Sequence, residues 1–266
     1  MVASCALSES VSIKQAVKRT SIRFPPGDIM SALIHLLEAM DKDCNGITDA
    51  QILFQRIDEF SKRIGFDYTC YGFRSHRSAT QSELHIFDTY PPGWMDYYAK
   101  HNFIEVDPTV VVGRHSERLL IWRDPSLPPA NAFWEAASRF GLNHGVARSS
   151  WGPHGEFGLL NFGRTHPPLN AAEIASLRVG MGAIANYTHE AMSRLLRPKR
   201  PPFDIDSLSL REREVLLWTA EGKTADEIGA ILGISARTVN FHIRNCLDKT
   251  GCRNKVQSAI RLVMWR

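Results

Sequence analysis

The chain has 266 residues, of which 44% are hydrophobic and 23% charged, with a formal net charge of +4. That is enough chain for one large and one small domain, in proportions ordinary for soluble, cored proteins, and so mild a charge names no partner by itself. The opening lacks an apolar core of signal-peptide length and no stretch approaches the roughly 18 apolar residues of a membrane span, so a cytoplasmic protein with no membrane partner is expected.

In chain order, residues 1–26 are polar and end in "RFPPG", and are expected to be an extension outside the core. "DIMSALIHLLEAMDKD" repeats apolar residues at helical spacing, and "DAQILFQRIDEFSKRIGF" does so through Ile52, Ile57, Phe60 and Ile64, so two amphipathic helices are predicted. "DYTCYGF", "LLIW", "GVARSSW" and "FGLLNFG" read as strands, with "FWEAASRFGL" and "NAAEIASLRVGMGAIANYTHEAMSRLL" as helices. This mixture predicts an α+β domain with a central antiparallel sheet covered by helices. The strand and helix order is not the alternation of a doubly wound phosphoreceiver. "RPKRPPFDIDSL" disfavours helix, which places a linker at 197–207 between domains at 27–196 and 208–266.

Beyond that linker the sequence reads as short, capped helices. Ser209-x-x-Glu212 and Thr224-x-x-Glu227 each have the form of a capping box, Gly222 stops the first helix, and Gly233-Ile234-Ser235 makes a turn with Ser235 as the next cap. Helix, tight turn and helix form the helix-turn-helix pattern, whose second helix enters the DNA major groove. On that helix Val239, Ile243 and Leu247 point inward. Asn240 and Arg244 share the opposite face, four residues apart, with the geometry to pair with adenine and guanine edges. Arg237, Thr238, Asn245, Lys249 and Arg253 are the expected phosphate contacts. From Arg237 onward seven basic residues stand against Asp248 alone, a local +6. A solvated polar face is the alternative reading, and His242 is assigned packing or a phosphate contact rather than chemistry.

The run "LSLREREVLLWTAEGKTADEIGAILGISARTVNFHIRNCLDKTGCRNK" resembles the DNA-binding domain of LuxR-family transcription regulators, through Glu212, Leu216, Gly222, "GKT-x-x-EI" and "TV-x-x-H". The resemblance implies a partner in double-stranded DNA and a homodimer paired through "KVQSAIRLVMWR", where Val256, Ala259, Ile260 and Val263 suit that role. Periodicity alone allows the same residues to pack within one chain.

Upstream, "TYPPGWMDYYAKHNFIEVDPTVVVGRHSERLLIW" gathers Trp94, Tyr98, Asp107 and Trp122. As composition it reads as an aromatic core, yet tyrosines and tryptophans with one carboxylate can also grip a mostly apolar ligand that carries a few amide-like atoms. The spacing Trp94-x-x-x-Tyr98, Asp107-Pro108 and Trp122, followed by "FWEAASRFGLNHG", resembles the acyl-homoserine-lactone-binding domain of quorum-sensing LuxR-type receptors. That resemblance implies an α/β/α sandwich and an N-acyl-homoserine lactone as ligand. Trp94 is then the donor to the lactone carbonyl, Asp107 the acceptor of the amide N–H and Tyr90 the donor to the acyl carbonyl. Tyr98, Trp122, Phe133 and Trp134 wall the pocket, Thr109 adds a polar contact, and Asn161 stands where many members carry Ser or Thr. Touching RNA polymerase to activate and blocking it to repress are both compatible with the charge pattern.

The five cysteines, Cys5, Cys44, Cys70, Cys246 and Cys252, lack metal spacing and read as reduced thiols. No phosphate loop, nucleophile elbow or metal motif is present, so no cofactor, metal or catalytic residue is expected. Two other classes stay open: a related regulator that senses a different small molecule or none, and, remotely, an enzyme using Asp107 with His101 or His115.

Overall fold

The computed structural model describes residue 38 and residues 46–78, 81–197 and 206–265. The expected extension over 1–26, the helix read in 28–43 apart from Glu38, and most of the linker lie outside these residues. Among the described residues no helix is long and apolar enough to cross a membrane.

Helix α1 (Ala50–Arg63) starts at Asp49, whose carboxylate accepts the Ile52 N–H at 2.9 Å, and buries Leu53, Phe54, Ile57 and Phe60. Ile52, expected in the core, is 49% exposed. Each residue turns about 100° around a helix, so a stripe centred on Leu53 and Ile57 leaves Ile52 at its edge.

Strand β1 (Tyr68–Ser78) pairs with β2 (Gln81–Asp88), an edge strand that the strand pattern missed because Glu83, His85 and Asp88 interrupt it. The strands β3 (Leu120–Ile121), β4 (His144–Trp151) and β5 (Phe157–Arg164) complete an antiparallel five-stranded sheet of order β2-β1-β5-β4-β3. Successive side chains in a strand face opposite ways. One face therefore sets Tyr71, Phe73, Val146, Leu160 and Phe162 against α1 and the long helix of Ala171–Leu196. The other packs Ala147, Phe157 and Leu159 with an aromatic layer.

That aromatic layer comes from short helices between the strands. Helix α2 (Trp94–Lys100) follows the Pro91-Pro92-Gly93 turn, and α3 (Pro108–Gly113) starts at the Asp107-Pro108 pair, with Asp107 as cap and Pro108 in the first turn. Helix α4 (Asn131–Arg139) supplies Phe133 and Trp134. On the far face lies α5 (Ala171–Leu196), started by a capping box between Asn170 and Glu173. Glu173 also holds the nearly buried Arg164 at 2.8 Å. The expected α/β/α sandwich is observed.

The C-terminal unit is wholly helical: α6 (Leu210–Ala220), α7 (Ala225–Leu232), α8 (Ala236–Thr250) and α9 (Lys255–Trp265). Both predicted capping boxes form, with the Ser209 and Thr224 amides each donating to a glutamate at 2.8 Å. Gly222 and Gly233 take left-handed backbone at the ends of α6 and α7, where a side chain is disfavoured. Ser235 caps α8. Val215, Ile228, Val239 and Ile243 lock the first three helices together, and Leu208, Leu216, Cys246, Ala259 and Leu262 hold α9.

Candidate functional site

Between the sheet and the aromatic layer is a cavity of about 130 Å³. It is close to the roughly 150 Å³ of an engineered apolar cavity that admits benzene. A ring-sized group fills such a space, and a longer tail has to run along the sheet toward Leu84 and Ile86, which stand partly open to solvent.

All nine expected ligand residues line this cavity: Tyr90, Trp94, Tyr98, Asp107, Thr109, Trp122, Phe133, Trp134 and Asn161. Trp94 packs edge-on to Tyr98 at 5.8 Å and tilted to Phe133 at 6.0 Å between ring centres. Phe133 is 4.8 Å from Trp134, which lies 6.1 Å from Trp122. Such offset and edge contacts make a rigid wall at little entropic cost.

Trp122 is seated by glycines. Gly145 and Gly163 are cross-strand partners, and a Cβ on either would lie 2.6 or 2.7 Å from the indole. The indole Nε1 is buried with no hydrogen-bond partner among the described residues.

Asp107 is the polar centre. Its Oδ1 accepts the Thr109 amide at 2.8 Å and the Thr109 hydroxyl at 2.7 Å, and its Oδ2 accepts the Tyr98 hydroxyl at 3.1 Å. Burial pushes its carboxyl above the usual range, and the hydrogen bonds from Thr109 and Tyr98 offset only part of that. Burial raises Tyr98 in turn, assisted by the Asp107 charge. One dipeptide thus both starts a helix and aims a carboxylate into an apolar space. His101 is exposed, stacked on Tyr97 at 3.9 Å and hydrogen-bonded to its carbonyl, so it does not complete a catalytic pair with Asp107.

The sequence reading missed the floor. Cys70, Gly72 and Arg74 from β1, Ile86 from β2 and Leu159 from β5 all line the cavity. Only strand register brings them together, and no local signal marks them.

On α8, Arg237, Asn240 and Arg244 are exposed, as is Phe241 between them, which was not anticipated. Thr238 and Asn245 are half-buried, and the Thr238 hydroxyl lies 2.8 Å from Ser235 Oγ within the cap. Arg253 is exposed beyond the helix. Lys249 is exposed as well, and its ammonium sits 2.8 Å from the buried Glu212 carboxylate, so part of its charge is engaged within the domain. Burial pushes Glu212 upward, but Lys249 and the Ser209 cap outweigh it and hold the carboxyl below its usual range. We therefore expect Lys249→Met to cost roughly 1–3 kcal/mol by leaving Glu212 buried and unpaired. Thermal melting should register that loss, while the salt dependence of DNA binding should change little. Ala259, expected at a pairing surface, is buried inside the monomer; Val256, Ile260 and Val263 remain 56%, 42% and 55% exposed.

A sandwich with an aromatic cavity and a capped helix-turn-helix define a small-molecule sensor joined to a DNA reader. Residues 49–192 match the family described as "Autoinducer binding domain", and residues 206–262 match "Bacterial regulatory proteins, luxR family". The chain belongs to the LuxR family of quorum-sensing transcription regulators, with an autoinducer-binding and a DNA-binding domain. It is 48% identical to the transcriptional activator protein SolR of Ralstonia nicotianae over 215 residues, covering 81% of this chain and 91% of SolR. The crystal structure of Escherichia coli SdiA is similar, with a TM-score of 0.69 and 30% identity over 87% of this chain and 97% of that one. SdiA in complex with octanoyl-rac-glycerol is also similar, with a TM-score of 0.66 and 29% identity over 91% and 97% of the two chains. These relatives are transcription regulators, not enzymes.

Proposed function

We propose that the sensor domain, taken as 27–196, binds an N-acyl-homoserine lactone, and that the chain then presents its DNA-binding domain, 208–266, as a homodimer on a palindromic promoter element. The observation that carries this reading is the buried Asp107 carboxylate facing an aromatic cavity, an acceptor placed for an amide N–H. Trp94 donates to the lactone carbonyl and Tyr90 to the acyl carbonyl. Tyr98, Trp122, Phe133 and Trp134 enclose the head group, with Thr109 and Asn161 as further polar contacts. The octanoyl-rac-glycerol held by SdiA supports an acyl ligand, and it also favours a second reading, an acyl chain on a different polar head.

The exposed stripe of Val256, Ile260 and Val263 supports pairing through α9. Two α8 helices then sit about 34 Å apart, one turn of DNA. The activator names of relatives such as SolR support activation, for which contact with RNA polymerase is the proposed route.

Titration of the full chain with a panel of acyl lactones and with octanoyl-rac-glycerol, read by thermal shift and DNA retardation, tests this. Lactones should raise the melting temperature and yield a dimer that retards a palindromic site; a panel of lactones without effect overturns the reading. On the DNA side, Arg244→Ala should cost about 1–3 kcal/mol against the specific site and relax its specificity. Arg253→Ala should instead lower the slope of log affinity against log salt by about 1, and fluorescence anisotropy across salt concentrations separates the two.

A further inference from the structure

The cavity floor has a polar far end that the lactone head group does not use. Along β1 the cavity-facing residues are Cys70, Gly72 and Arg74, paired across β5 with Asn161, Leu159 and Phe157. Cys70 lies at the Asp107 and Tyr90 end, where burial and the charges of Asp88 and Asp107 push its thiol up. Four residues further along, about 13 Å at roughly 3.3 Å per residue, stands Arg74. Its guanidinium sits 5.6 Å over the Phe157 ring, and its Nε is buried with no hydrogen-bond partner among the described residues.

Helix α3 runs the same way, from its Asp107 cap to Gly113, which packs against Leu159 and Phe157, and so delivers Arg114 to the same end. Burial, and then the Arg114 charge, lower the proton affinity of Arg74. Among the described residues neither guanidinium pairs with a carboxylate. Both guanidinium groups are half-buried, line the same cavity and feel each other's charge, and a bound carboxylate would offset both the repulsion and the desolvation.

We propose that Arg74 and Arg114 bind the anionic far end of the effector, a medium-chain acyl compound ending in a carboxylate. This rests on the acyl-ligand reading of the cavity. At roughly 1.3 Å advance per carbon, 13 Å corresponds to an acyl chain of about ten carbons. The carboxylate has two sources: an acyl lactone carboxylated at its tail, or a free fatty acid lying with its carboxylate on the arginines and its tail among the aromatics.

The test is calorimetric titration of the full chain with three probes: decanoyl-homoserine lactone, the same lactone carrying a terminal carboxylate, and decanoate. The expected result is that the carboxylated lactone binds about tenfold or more tighter than the decanoyl lactone, as a charged hydrogen-bonded pair implies. Arg74→Leu should reverse that ratio. Arg114→Gln should narrow it, and serves as the second variant should Arg74→Leu prove insoluble. Decanoate binding as tightly as the carboxylated lactone, and sensitive to Arg74→Leu, supports the anion site with a fatty acid as its source. If decanoate binds and neither lactone does, the anion site stands and the lactone reading falls. A decanoyl lactone tighter than both carboxylates, with ratios unmoved by either variant, overturns the anion site and leaves the lactone reading standing. Failure of all three to bind overturns both.

Discussion

Asp107→Asn should produce a folded protein whose response to lactone is strongly weakened. The amide keeps an oxygen for the Thr109 amide and hydroxyl that start α3, but where the carboxylate offered Oδ2 it presents a second donor. Donor then meets donor at the ligand N–H. Losing a charged hydrogen bond of about 1.5–3 kcal/mol lowers affinity roughly 10- to 100-fold, and ligand-induced thermal shifts should fall accordingly. Asp107→Ala should do more harm. It removes the cap, worth about 1 kcal/mol, and leaves the Tyr98 hydroxyl without its acceptor, so reduced stability accompanies lost binding. Intact lactone titration by the asparagine variant would sink the proposed role of this carboxylate.

The same residue carries a pH signature. The Asp107 carboxyl is held above its unfolded value by burial, so the folded chain binds the extra proton in the window between the two. Its contribution to stability is full below the unfolded value and is lost as pH rises through the folded one. Glu212 and Glu173, held below their usual range, act oppositely and lose stability as pH falls. The difference in melting temperature between the original protein and Asp107→Asn isolates the Asp107 component. Relative to the variant, the original protein should become less stable as pH rises through that window; a flat difference would contradict the burial assigned to this carboxylate.

The second large effect is expected at Gly145. An added Cβ there would stand 2.6 Å from the Phe162 carbonyl oxygen and 2.6 Å from the Trp122 ring. Both contacts have to open, so the strand ladder at Phe162 is strained and the tryptophan is displaced, and with it the cavity wall shared with Trp134. Overpacking of this kind costs about 1–3 kcal/mol, at roughly 2–4 °C of melting temperature per kcal/mol. Gly145→Ala should therefore lower both stability and lactone affinity. Gly72→Ala is the control, because a Cβ at Gly72 meets nothing within 4 Å and enters the cavity floor. It should fold normally and disfavour the longer acyl chains. Equal melting temperatures for the two variants would contradict the seating of Trp122 on its glycines.

What could be read in the sequence follows the range of the interactions involved. The capping boxes at Ser209 and Thr224 and the glycine stops at Gly222 and Gly233 join residues a few positions apart, so the helix-turn-helix and its outward Asn240 and Arg244 were legible. The aromatic and acidic residues from Tyr90 to Trp134 were recognised through spacing, though Asp107-Pro108 was read for its carboxylate and not as the helix start it also is. Three features were set by tertiary structure alone. Strand pairing, which is non-local and alternates every second residue, placed Gly72 and Arg74 on the cavity side and turned Tyr71 and Phe73 to the opposite core. The packing of α8 on α6 set the Lys249 ammonium against Glu212, 37 residues away. The convergence of β1 and α3 on Phe157 brought Arg74 and Arg114 together. Local chain chemistry determined where the helices begin and end, and burial across distant segments decided which charges stay open on α8 and which line the cavity.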